Sequence, residues 1–400
     1  MITAATQALL VGVLVAIDAM RRRRSKPGVG YPHTEYPEIS LDESDDRVTL
    51  YSYGDAIYED MLREIENAER TIMLETFIWK GDALGRRFLE ALVRKVREGV
   101  QVYVIFDDFA NLVVPAEFKR FPKEVLTLRF RPVSHPGVIL NFRTYFRDHR
   151  KLLVVDSRVG FIGGYNIGEL YASGSWRDTH LKIEGSEARE LENAFADLWN
   201  ANRTEDLPTV YPEPGRNWRP NAVLHRNDPD LGIFPIRTVY LEAIDRAESH
   251  IYMTNAYFIP DPALRTALKD AVGRGVDVQV LLPWNSNHVT ADWLGRRWFW
   301  ELLDSGVRIF GYKDIMIHSK TATIDGVWST VGTANIDRFS LIGNYEVNLE
   351  IYDKGLARQM EEMFELDKTN AFELTREEWE RRPLPAKITE RILESLAPLV

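Results

Sequence analysis

HRKLLVVD at residues 149–156 and HSKTATID at residues 318–325 repeat one pattern: a His, a Lys two positions later, and an Asp five positions after the Lys. The surrounding sequence repeats as well. LREIENAERTIMLETFIW leads into ALVRKVREGVQVYVIFDDF in one region, and LEAIDRAESHIYMTNAYFI leads into ALKDAVGRGVDVQVLLPW in the other. Gly99 matches Gly275 and His149 matches His318, with small indels absorbing the drift in offset. The chain is therefore an internal duplication. Each copy reads as helix, apolar strand, amphipathic helix closed by Gly, then a second apolar strand. That alternation predicts an α/β fold: two duplicated α/β/α sandwich halves with mixed sheets, forming a pseudo-dimer.

Residues two apart on a strand point to the same side, so His149 shares a face with Lys151, and His318 with Lys320. LLVV and TATI continue those strands, Asp325-Gly326 is a hairpin signal, and VGFIGGYN and VWSTVGTAN read as the returning strands. The return carries Gly163, Gly164 and Asn166, or Gly332 and Asn335, back towards the His-Lys pair, where glycine permits close approach of a bound group. Asp156 and Asp325 complete the repeated triad and count among the candidate catalytic residues, although at a turn Asp is favoured for local hydrogen bonding alone. Asp178 in SWRDTHLKI and Glu346 in NYEVNLEI each enter a further strand-like segment, where each could orient one histidine.

Two His and two Lys suit phosphodiester chemistry. Such a reaction needs a nucleophile, a proton donor for the leaving oxygen, and positive charge on the non-bridging oxygens. These four side chains supply all three, so neither a metal nor a cofactor is expected. Two imidazoles in one pocket must do opposite jobs, one attacking and one donating, so their surroundings have to differ.

The 400 residues exceed the usual size of one domain, and the 45% apolar content supports a packed core. Sixty acidic against 50 basic residues give a net charge of −10, which opposes a long electrostatic grip on nucleic acid, so no nucleic-acid partner is expected. With no cysteine, disulfides, thiolate metal sites and cysteine nucleophiles are all excluded.

The first seventeen residues, MITAATQALLVGVLVAI, carry no charged side chain and are followed by Asp18 and by four arginines at 21–24. Basic residues after the apolar run fit an anchor better than a cleavable signal. The excess of positive charge predicts the bulk of the chain on the cytoplasmic side of a bacterial inner membrane. The division expected from composition is an anchor helix over 1–20, a linker over 21–46, a first half over 47–205, and a linker over 206–233. A second half over 234–370 and a helical tail over 371–400 complete it.

The paired motifs, together with LETFIW, FIGGYNIG, WRDTHLKIEG and NYEVNLEIYD, resemble the phospholipase D superfamily, and within it the bacterial cardiolipin synthases. The resemblance implies that His149 is a nucleophile forming a phosphohistidine and that His318 is the general acid and then base. It also implies that Lys151, Lys320, Asn166 and Asn335 hold the phosphate, with Gly164 and Thr333 beside them. In GTAN, Thr333 supplies the hydroxyl where many relatives have Ser. The reaction it implies is phosphatidyl transfer between two phosphatidylglycerols, with an anionic phospholipid and a membrane as partners. Three alternatives stay open on sequence: hydrolysis to phosphatidic acid, a nuclease, or a lipid-binding module without catalysis.

His180 and His288 fall near the expected site, whereas His33, His135, His225 and His250 read as packed or surface residues. Trp293, Trp298, Phe299 and Trp300 read as helical core, although arginines beside tryptophans also suit a membrane interface. Ile388, Ile392, Leu396 and Leu399 make a stripe expected to dock on the domain. Arg143, Arg147, Arg150 and Lys151 form a basic cluster for which anionic headgroups are one reading.

Overall fold

The computed structural model describes residues 30–41, 46–130 apart from 113 and 117, 146–212, 222–384, and singly 12, 387 and 390. The strands of the first half are β1 (Ile39–Ser40), β2 (Arg47–Tyr51), β3 (Thr71–Thr76), β4 (Gln101–Asp107) and β5 (Leu126–Phe130). They continue with β6 (Leu152–Val155), β7 (Val159–Gly163), β8 (Trp176–Arg177) and β9 (His180–Glu184). The second half holds β10 (Ala222–Asn227), β11 (His250–Asn255), β12 (Asp277–Pro283), β13 (Arg308–Tyr312) and β14 (Met316–Ile317). Then come β15 (Lys320–Ile324), β16 (Trp328–Gly332), β17 (Glu346–Tyr352) and β18 (Ala371–Leu374).

Among the described residues these strands build two eight-stranded sheets in the orders β1-β2-β9-β7-β6-β3-β4-β5 and β10-β17-β16-β15-β11-β12-β13-β18, and β14 pairs with β8 in a two-stranded third. In both, three parallel strands (β3-β4-β5 or β11-β12-β13) adjoin an antiparallel set beginning with β6 or β15. The sheets are mixed and duplicated, as expected of the α/β fold.

The parallel strands demand crossovers, and the sequence supplies amphipathic helices for them. Helix Ala83–Arg97 buries Leu84, Phe88, Ala91 and Leu92 on one face and starts at Asp82, whose side chain accepts from the Gly85 amide. Gly99, at φ 95°, ends that crossover, and Gly275, at φ 94°, ends its counterpart. L-residues with a side chain rarely adopt this conformation, hence glycine at both positions.

One buried cluster joins the halves. It takes in Phe195 and Trp199 from helix Ala188–Asn202, Met360 and Met363 from helix Lys354–Lys368, and the inward residues Ile162, Leu181, Val331 and Val347. Truncating an aromatic such as Trp199 in such a core costs about 3–5 kcal/mol, so the halves are held as one body.

The structure differs from the sequence reading at the expected linkers and tail. Within 21–46, β1 pairs with β2, and Tyr31, Tyr36 and Leu41 are buried, because apolar side chains lie between the prolines. Within 206–233, β10 pairs with β17 and turns Ala222 and Leu224 into the shared core. Within 371–400, β18 covers the outer edge of β13, and only Arg376–Glu380 follows as a described helix. The anchor over 1–20 lies, apart from Gly12, outside the described residues. So does the stripe of Ile388, Ile392, Leu396 and Leu399. No helix among the described residues is long and apolar enough to cross a membrane.

Candidate active site

Each histidine stands just before the first strand of its hairpin, and the same backbone device on each side ties it to the other half. The His318 amide donates to Arg177 O at 2.6 Å, where β14 runs parallel to β8. The His149 amide donates to Tyr345 O at 3.0 Å, beside the equivalent bridge from Asp148 to Tyr345. The residue following each of these carbonyls is a carboxylate. The carboxylates are therefore crossed: His318 Nδ1 meets Asp178 Oδ2 at 2.7 Å, and His149 Nδ1 meets Glu346 Oε2 at 3.0 Å. With Nδ1 committed as donor, Nε2 is the nitrogen left for chemistry on both rings.

Both histidines line one cleft of about 210 Å³, together with Asn166, Asn335 and residues from both halves. Its lining includes the aromatic Phe77, Tyr171, Trp176 and Tyr257 and the polar Asn287, Asp337, Ser340 and Asn344. The edge of Phe77 packs on His149 at 4.8 Å between centroids, and Trp176 lies 5.0 Å from His318.

Lys151 and Lys320 are buried behind the histidines. Lys151 Nζ donates to His149 O at 2.5 Å, and Lys320 Nζ donates to His318 O and lies 3.1 Å from His318 Nδ1. Burial weakens both ammonium groups, lowering Lys151 to about 8 against the pull of Glu346, and Lys320 to about 7 against that of Asp178. The same burial, with the lysine charges, pushes His318 down to about 3. His149 is lowered for the same reasons, with Glu346 opposing. Burial alone would raise Asp178, but His318 and Lys320 outweigh it and hold the carboxylate at about 2. The unliganded cleft thus combines neutral imidazoles, an ionised Asp178 and ammonium groups poised to be strengthened by an arriving anion.

Asn166 Oδ1 accepts the Ile78 amide at 3.0 Å, which commits that oxygen and leaves Nδ2 as the side chain's donor at the cleft. Asn335 is buried and its Oδ1 has no hydrogen-bond partner. Turning the amide over would present Nδ2 there instead.

Four expected site residues act on their neighbours and not on the cleft. Asp156 accepts the amides of Glu69, Arg70 and Thr71 at 2.7–2.8 Å, and Asp325 accepts those of Glu248, Ser249 and His250 at 2.8–2.9 Å. Both sit at the far end of the strand from the histidine, where each ties its hairpin turn to the start of β3 or β11. Thr333 is buried and turns its hydroxyl to Glu346 Oε2 at 2.5 Å. Gly164 makes room for a carboxylate, because a Cβ there would lie 2.1 Å from Asp178 Oδ1.

The basic cluster does not face outward. Arg147 forms a double contact with Asp107 at 2.9 Å, and Arg150 binds Glu75 at 2.6 and 3.0 Å. Arg143 lies outside the described residues, as does His135. His288 lines the cleft at the head of helix Val289–Arg296. His180 is buried in β9 and absent from the cleft walls. His225 pairs with Glu350 and His250 with Glu361, while His33 stacks on Tyr53. In the aromatic run, Phe299 is buried in the core of the second half, and Trp298 stacks under Arg265 at 3.6 Å. Among the described residues no group of three or more His, Asp or Glu side chains is arranged to hold a metal ion.

Sequence reasoning did not single out Tyr257, Trp176, Asp337 or Asn344. Asp337 occupies the position of Gly168 in the repeat, a difference visible in NIGEL against NIDRF. Burial raises its carboxyl to about 6. The crossing of the carboxylates left no sequence signal, since spacing alone places each carboxylate nearer its own half.

A family profile described as "Cardiolipin synthase, PLD-like domain" matches residues 61–199 and 240–368, one match per half. A cardiolipin synthase of Clostridium perfringens is 33% identical over 88% of this chain and 77% of its own length. A cardiolipin synthase 2 of Staphylococcus epidermidis is 33% identical over 91% of this chain and 77% of its own. The fold is similar to the crystal structure of a phosphatidylserine synthase from Haemophilus influenzae, with a TM-score of 0.68 at 14% identity, covering 96% of this chain and 98% of that one. With both halves matched and both motif histidines lining one cleft, the chain belongs to the cardiolipin synthase family of phospholipase-D-like proteins.

Proposed function

We propose that this protein is a membrane-anchored phosphatidyltransferase that makes cardiolipin from two molecules of phosphatidylglycerol and releases glycerol. The observation that carries the reading is the meeting of His149 and His318 in one cleft, each held at Nδ1 by a carboxylate from the opposite half.

His149 attacks the phosphorus of the first lipid through Nε2, forming a phosphohistidine, while His318 as imidazolium gives its proton to the departing glycerol oxygen. His318, now neutral, takes the proton from a hydroxyl of the second phosphatidylglycerol. That oxygen attacks the phosphohistidine, forming cardiolipin and restoring His149. Lys151, Lys320, Asn166 and Asn335 bear the charge of the non-bridging oxygens.

The division of labour follows the family resemblance, and the carboxylates that hold the two rings support it. Glu346 shares Oε2 between His149 and the Thr333 hydroxyl, which weakens its pull on a proton and suits a nucleophile that stays neutral. Asp178 makes the shorter contact and is the carboxylate held at about 2, which suits stabilising an imidazolium once an anionic diester offsets the lysines.

The test is to incubate the protein in phosphatidylglycerol vesicles and resolve the lipid products by mass, alongside His149→Ala. Cardiolipin and glycerol, absent in the variant, are the expected products. Phosphatidic acid in place of cardiolipin would make the protein a hydrolase.

A further inference from the structure

We propose that the rim of the cleft is a membrane-docking surface, on which exposed apolar side chains from both halves enter the bilayer interface around the mouth of the active site. The proposal rests on the reading of a lipid substrate and extends it to where the protein meets the membrane.

Of the exposed large apolar side chains among the described residues, seven stand on segments connected to the cleft, while Tyr211, Val327, Tyr352 and Leu384 do not. Phe109 and Leu112 follow β4, beside Asn111, whose side chain bonds the backbone of Phe77 and Trp79 at the cleft. Leu170 precedes the cleft residue Tyr171 in helix Glu169–Ala172. In the second half Phe339 lines the cleft itself, and Ile342 lies one turn on in helix Arg338–Ile342. Leu231 and Ile233 occupy the loop after β10, which is tied to that helix where Asn227 Nδ2 donates to Ser340 O at 2.9 Å. Exposure in this set runs from 39% at Ile342 to 71% at Leu231.

One chain of contacts links the two halves of this set. Arg147 lies against the Phe109 ring at 5.2 Å and its backbone amide donates to Asn344 Oδ1 at 3.1 Å, linking the first-half loop to the segment that follows the second-half helix. A soluble surface seldom concentrates large apolar groups around one opening. The chemistry of the occupant follows from the cleft. At about 210 Å³ it has room for a phosphodiester and a glycerol but not for acyl chains, which must remain in the bilayer while the headgroup is transferred. The exposed apolar side chains beside the cleft would receive the upper part of those chains, and exposed Arg338, next to Phe339, would stand at the level of anionic phosphates.

The absence of cysteine makes the test direct. Leu112→Cys, Leu231→Cys and Ile342→Cys are each labelled with an environment-sensitive fluorophore in the full chain, with Val327→Cys at the opposite end as control. Each is mixed with vesicles of equal parts phosphatidylglycerol and phosphatidylcholine. A blue shift at all three rim positions and none at Val327→Cys is expected. No shift at the rim, or an equal shift at the control, overturns the proposal, and a protein partner would then be the occupant to seek.

This readout does not depend on turnover, so failure of the proposed reaction leaves it standing or falling by itself. Turnover supplies a second arm. A triple variant carrying Leu112→Ser, Leu231→Ser and Ile342→Ser is expected to lose at least about tenfold of its activity on vesicle substrate and to keep that on a short-chain monomeric phosphatidylglycerol. Equal loss on both substrates overturns the docking role.

Discussion

The two halves share a strand order, a hairpin and a His-Lys pair, yet they hold their carboxylates by different means. In the first half the carboxylate is the short Asp178, pressed against Gly164 and fixed by the Thr179 amide at 2.8 Å. In the second it is the longer Glu346, pinned by the hydroxyl of Thr333, the residue that replaces Gly164 in the repeat. Because each carboxylate serves the histidine of the opposite half, the asymmetry is handed across the interface. His318 receives the tightly held Asp and His149 the shared Glu. A duplicated fold gives two equal imidazoles, and these substitutions around them make the two unequal enough for opposite proton roles.

The largest effects should come from the histidines. His149→Ala and His318→Ala are each expected to lower turnover by at least about 10⁴-fold, measured as product per folded enzyme. A variant retaining a tenth of wild-type activity would mean the two halves do not share one reaction. Next come the carboxylates: Asp178→Asn should cost on the order of 10³-fold and Glu346→Gln on the order of 10²-fold, because only His318 must carry a full proton in the reaction. Equal losses would remove the asymmetry proposed for the two rings.

The pH profile of kcat/KM sharpens the same point. His149 must be neutral and sits below its ordinary value, whereas His318 and both lysines must be charged, with Lys320 at about 7 and Lys151 at about 8. Activity should therefore fall on the alkaline side as pH rises through 7 to 8, and fall on the acid side only below 6.5, the ordinary histidine value. A profile flat from 7 to 9 would contradict the assignment of the lysines as charged phosphate holders.

Much of this was legible in the sequence because it is written in periodicity. The duplication, the hairpin after each His-Lys pair, the closing Gly99 and Gly275, and the two orienting carboxylates all follow from patterns of two or 3.6 residues and from repeat spacing. What escaped depends on contacts distant in sequence. The crossing arises where the carbonyls of Arg177 and Tyr345 accept the amides of His318 and His149 from the other half. The strand β10 was hidden because AVLHRN carries a His and an Arg, which sit half-buried beside its core positions. The basic cluster misled because Asp107 and Glu75, the buried partners of Arg147 and Arg150, lie far upstream. Removing one member of such a buried pair costs about 3–5 kcal/mol, which explains arginines near a cleft that they do not enter.

Smaller effects separate support from chemistry. Gly164→Ala should lower turnover by about 10²-fold by displacing Asp178, while Thr333→Ala should lower it by about tenfold by loosening Glu346. A Thr333→Ser variant near wild type would identify the hydroxyl as the feature that matters. Asp156→Ala and Asp325→Ala should leave turnover per folded molecule within about twofold and cost about 1–3 kcal/mol in denaturant unfolding. The backbone amides hold Asp325 below its ordinary value of 3.8, so its contribution is present above that value and is lost as pH falls through and below it.

The central claim, one active site with two unlike histidines, is tested most directly by locating the covalent intermediate. Wild type and the His318→Ala variant are mixed with phosphatidylglycerol vesicles, quenched under conditions that preserve phosphohistidine, and mapped by peptide mass. A phosphatidyl group on the peptide carrying His149, trapped longer in His318→Ala and absent in His149→Ala, is the predicted result. The same group on His318, or on both peptides equally, would contradict the account.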